Sequence, residues 1–139
     1  MLLSLIQQHK ELGISEQIDY EKFYLYSIIT HSTAIEGSTV TELEAQLLFD
    51  EGITSQKRTL VEQLMNLDLK TAYDYGMKWI KHHEAITVSW LITLASKVMV
   101  RTGSEYHSLG GDFSAAKGEL RKLNVTAGFG GKSYCIVSI

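Results

Sequence analysis

"STAIEGSTVTELEAQLLFDEGIT", residues 32–54, decides how this chain folds. Thr41 followed by Glu44 is a capping box, in which each side chain satisfies a free backbone N–H of the first helical turn. It starts a helix over 42–51 with Leu43, Leu47 and Leu48 facing inward, and Gly52 stops that helix. Upstream, Glu36-Gly37 ends a longer helix over 16–36. For this helix we expect Ser15 as N-cap and Glu16 and Asp19 as favourable first-turn charges. Tyr24/Ile28 and Leu25/Ile29 are four apart and share faces. Glu36 is then a carboxylate at a helix C-terminus, where it opposes the dipole at a cost of about 0.3–1 kcal/mol. Ser32 lies one turn behind it.

Working outward, the same signals give further helices over 2–12, 58–82 and 85–101. The last is apolar on most sides, as in a buried helix. The sequence has no proline, so Gly13, Gly37, Gly52 and Gly103 are the expected stops. Residues 102–117 are rich in glycine and serine and predict a loop. Residues 118–139 alternate about Gly128-Phe129-Gly130-Gly131 and predict a β-hairpin, with Leu120, Leu123 and Val125 on its first strand. There is no repeat or linker. One domain is expected over 1–139, made of N-terminal helices (1–36), supporting helices and loop (37–117) and a hairpin (118–139).

A length of 139 residues suffices to bury a core. The net charge of −3 argues against a generally basic nucleic-acid binder. One cysteine, Cys135, makes no internal disulfide and suggests a reducing compartment. The N-terminus lacks the pattern of a signal peptide, and no apolar run spans a membrane. A cytoplasmic protein is expected, with neither nucleic acid nor membrane as partner.

No chemistry is visible in spacing alone. His9, His31, His82, His83 and His107 form no metal-ligand pattern. His82-His83 suits a helix C-terminus. Cys135 is best read as a small packed residue. The glycines at 128, 130 and 131 lack the context of a phosphate loop.

A resemblance supplies what spacing does not. Ser32, Glu36 and Gly37 match the [S/T]xxxE[G/N] motif of the Fic family. Thr39, Thr41 and Glu44 match its threonine-capped helix, and Asn66, Ala72 and Tyr73 its next long helix. "GELRKLNVTAG" (118–128) resembles the family's flap. The likeness spans roughly residues 16–134. It implies a mainly α fold, a Fic-like helical bundle with a C-terminal β-hairpin as flap. It implies transfer of AMP from ATP, with Mg²⁺, onto a hydroxyl of a protein target. It assigns Ser32, Glu36 and Gly37 to the inhibitory helix, and Leu123, Asn124, Val125 and Thr126 to the target-binding flap. The family's catalytic string, HxFx[D/E]GNGRxxR, does not occur here. No catalytic residue, metal ligand or cofactor is therefore expected for this chain alone. We expect the first half of such an enzyme, inactive alone and ending where the family's next helix begins. The alternative is a non-catalytic module that contacts a partner chain through the inhibitory helix or the hairpin. A homo-oligomer is also expected, since Trp90, Leu94, Val98 and Met99 would lie partly bare and the last strand would be an open edge.

Overall fold

The computed structural model describes residues 2–13, 16, 18–127 and 131–134. Five helices come first: α1 (Leu2–Glu11), α2 (Tyr20–Ile35), α3 (Glu42–Glu51), α4 (Leu60–Lys81) and α5 (Val88–Val98). Four short strands follow: β1 (Glu105–Tyr106), β2 (Phe113–Ser114), β3 (Val125–Ala127) and β4 (Lys132–Tyr134). They form two separate antiparallel pairs, β1–β2 and β3–β4.

Helices α2, α3 and α4 pack against one another, and α5 packs on α4. Tyr26, Ile29, Val40, Ala45, Leu48 and Ala72 are buried between the first three. The residue that α5 buries is Trp90, which stacks on Tyr75 at 6.2 Å and lies 5.9 Å from Trp79, both on α4. The chain after α5 is tied back to α4 by Asp68, which is fully buried. Its carboxylate accepts the Arg101 and Thr102 N–H groups at 2.8 and 3.1 Å and the Thr102 hydroxyl at 3.0 Å. The Arg101 guanidinium completes the set at 2.8 Å. Gly118, at φ +70°, then brings its backbone against Ile92 and Ser96 of α5, where a Cβ would collide with the helix backbone.

Helix α3 has the bounds its sequence predicts, with the Thr41/Glu44 capping box formed and Gly52 left-handed at φ +70°. Elsewhere local expectation and tertiary structure diverge. The expected N-cap Ser15 lies outside the described residues, and the cap of α2 is Asp19, which accepts the Lys22 N–H at 3.0 Å. The helix thus starts at Tyr20 rather than 16. Leu43 points outward, 67% exposed, because the contact face of α3 is set by Ala45 and Leu48. Helix α5 is shorter than predicted and is not buried all round. Trp90 is covered, but Leu91 and Met99 are exposed. The expected loop over 102–117 contains the β1–β2 pair, with the Tyr106 and Phe113 rings stacked at 4.8 Å. In the terminal hairpin, Leu120 and Leu123 precede β3 instead of lying on it, and of the predicted turn Gly128-Phe129-Gly130-Gly131 residues 128–130 lie outside the described residues.

Candidate functional site: the end of helix α2

The α2 C-terminus is built from its last turn outward. The Glu36 N–H donates to Thr33 O at 3.1 Å, Gly37 N–H to Ala34 O at 3.0 Å, and Ser38 N–H to Thr33 O at 3.0 Å. Gly37 takes φ +93°, a left-handed value that costs a glycine little, and so turns the chain sharply. Beneath this turn runs a buried polar network. Asn66, on α4 and fully buried, accepts from the Thr33 hydroxyl at 3.2 Å. It donates to the Ser38 hydroxyl at 3.2 Å and to Glu62 O at 2.9 Å. Every polar atom of its amide is engaged across two elements, which fixes the α2 end against α4.

A second network clasps the loops on either side of α3. Glu44 Oε2 accepts the Thr41 N–H and hydroxyl, both at 2.9 Å, while Oε1 accepts the Ser55 hydroxyl at 2.8 Å. Arg58 Nε lies 2.9 Å from Oε2. Glu62 repeats the pattern. One oxygen accepts the Thr39 N–H and hydroxyl at 2.7 and 2.6 Å, the other those of Thr59 at 2.8 and 2.7 Å. Arg58 also donates to the Thr39 hydroxyl at 3.0 Å, linking the two carboxylates. The Thr41 N–H, then the Ser55 hydroxyl and Arg58, hold the Glu44 carboxyl at about 2 against the cost of burial. The Thr39 and Thr59 hydroxyls and their backbone N–H groups do the same for Glu62, also to about 2.

On this scaffold Glu36 is exposed, and among the described residues no hydrogen bond or ion pair reaches its carboxylate. Ser32 is half-buried one turn behind it. Ser32, Glu36 and Gly37 thus sit together at one stiff helix end. An unpaired carboxylate on such a support presents two oxygens to an incoming cation, a guanidinium above all. The flap residues are elsewhere. Leu123 is half-buried and Asn124 exposed, and Val125 and Thr126 lie on β3 opposite Tyr134 and Ser133. Among the described residues the β3–β4 pair packs on no other helix or strand.

Thr39, Thr41 and Glu44 belong to the clasp, and Ala72 is buried on α4. Tyr73 helps line an open groove of about 730 Å³ between α2 and α4. The sequence reading overlooked Thr59 and Glu62, although Thr-x-x-Glu preceding an apolar run was the signal for this second capping box. Nothing local announced Arg58 or Asp68.

Comparison with family models, with curated proteins and with solved structures gives no match to this chain. Among the described residues no group of three His, Cys, Asp or Glu side chains could hold a metal ion. No described helix is long and apolar enough to cross a membrane.

Proposed function

We propose that this chain is the regulatory part of a Fic-type protein adenylyltransferase, a Fic-like helical bundle carrying the inhibitory helix and a flap. The observation that carries this reading is Glu36, exposed and without a hydrogen bond or ion pair from the described residues, on a helix end that Asn66 locks in place. In that role Glu36 takes an arginine of the catalytic loop and so blocks the productive placement of the ATP phosphates. Ser32 and Gly37 set its position, and Leu123 to Thr126 guide the target segment. The general base, metal ligand and phosphate-binding groups come from residues other than these, along with ATP and Mg²⁺. The site of action is the cytoplasm, and the substrate is a protein hydroxyl.

The test adds the purified chain to a Fic catalytic core whose own inhibitory glutamate has been replaced by glycine, and follows AMP transfer from labelled ATP. The chain slows transfer, Glu36→Gly does not, and the chain alone labels nothing. Transfer unaffected by the chain, or slowed equally by the variant, removes the reading.

A second reading, a non-catalytic module that contacts a partner chain, is favoured by the open α2–α4 groove, which presents apolar side chains to solvent.

A further inference from the structure

Helix α1 and the α2–α4 groove are two uncovered apolar surfaces on one chain. On α1, Leu2, Leu5 and Ile6 stand at i, i+3 and i+4, with Leu3 beside them and Leu12 just past the helix end, and all five are 44–81% exposed. No other described helix or strand packs against α1. A helix of 10 residues is marginal in water without a packing partner, so this one needs a surface to lie on. The groove offers a floor of Tyr24, Leu25 and Ile28 from α2 and Tyr73 and Met77 from α4. Its α4 wall runs from Lys70 to Lys81, about 17 Å, and α1 is about 15 Å long.

We propose that α1 of one copy lies in the α2–α4 groove of a second copy, and reciprocally. The turn after α1 carries hydrogen bonds from Gly13 N–H to Lys10 O and from Glu16 N–H to Gly13 O, both 3.1 Å, and α1 makes no packing contact with α2 or α4, the helices that line the groove. Area favours exchange over a one-way contact. At ~100 Å² per apolar side chain, α1 buries ~500 Å² and the smaller groove ~200 Å², so one contact removes ~700 Å² in total. That is transient on its own, whereas two reciprocal contacts reach ~1,400 Å², within the range of a stable interface. A membrane is a poorer occupant, because the polar side of α1 carries Gln7, Gln8 and Glu11 with Lys10 as its lysine, too little positive charge for an anionic surface.

Sedimentation of the full chain at tens of micromolar tests this, and a species of twice 15.6 kDa is expected. Leu5→Glu on α1 and Met77→Glu in the groove change exposed positions, and each weakens the dimer by at least about tenfold while the circular dichroism of the bundle is retained. On the unmodified protein, an amine cross-linker applied to mixed light and heavy isotope chains joins Lys10 of one chain to Lys70, Lys78 or Lys81 of the other. A monomer, a dimer that ignores both substitutions, or cross-links from Lys10 confined to a single chain would overturn the exchange.

Discussion

The hydroxyl of Thr33 donates to Oδ1 of Asn66 at 3.2 Å, joining α2 to α4 across 33 residues of chain. The same proton is shared with Thr30 O at 3.1 Å, so the bond to Asn66 is one arm of a fork. Asn66 is the member with no alternative partner, because it is fully buried and serves Thr33, Ser38 and Glu62 together. Asn66→Ala removes the donor to the Ser38 hydroxyl and one arm of the Thr33 fork, and leaves a small void. We expect a loss of about 2–4 kcal/mol in urea unfolding, and about 1 kcal/mol for Thr33→Val. A cost below 1 kcal/mol for Asn66→Ala would show that water replaces the network.

Glu36→Gly acts on an exposed side chain that no described residue holds. Removing a carboxylate from a helix C-terminus helps slightly, and the extra chain entropy of glycine costs a similar amount. Stability should stay within about 0.5 kcal/mol of the parent by denaturant melt. A change of several kcal/mol would mean that the carboxylate is paired after all.

Acid should loosen the clasp around α3. Glu44 and Glu62 are held at about 2, below their ordinary 4.5. For a carboxyl depressed in the folded state, the unfolded chain binds the proton first. The stabilisation is therefore complete above the ordinary value and is lost as pH falls through 4.5 toward 2. Urea midpoints should be level from pH 7 to about pH 5 and fall steeply below it, and Glu44→Gln should flatten that fall. An unchanged acid slope in Glu44→Gln would assign it to other carboxyls.

Asp68→Ala removes the acceptor for two backbone N–H groups, a hydroxyl and the Arg101 guanidinium. The expected loss is about 3–5 kcal/mol, and Asp68→Asn, which keeps one good acceptor, should recover part of it. Hydrogen exchange provides a local check. The Arg101 and Thr102 amides should lose protection before the α2–α4 core does. Retained protection there in Asp68→Ala would place the anchor elsewhere.

Gly118→Ala tests the seating of the 115–124 segment on α5. The left-handed φ of +70° and the contact with the Ile92–Ser96 backbone both oppose a side chain. We expect about 2–4 kcal/mol of destabilisation in a thermal or urea melt. A neutral result would mean that the segment lifts away freely.

What the sequence by itself determined is local. The capping box at Thr41 and Glu44, the left-handed stop at Gly52 and the run of α4 follow from interactions within a few residues, and helix α3 begins and ends where those residues require. The mainly helical class and a terminal hairpin around β3 and β4 were legible for the same reason. Glu36 at a helix end was legible too, since a glycine needing φ +93° follows it. Only the tertiary structure decided which faces are covered. Leu43 and Leu48 are equally apolar, but only Leu48 is buried where α3 packs against its neighbours. Trp90 is buried because Tyr75 and Trp79 happen to stand opposite it, while its neighbour Leu91 faces water. Asn66 stood out in the sequence only through the family resemblance and Asp68 not at all, yet both are buried joints of the fold. Their partners, Thr33 and Arg101, lie 33 residues away in each case, a separation at which no pattern of neighbours reports a hydrogen bond.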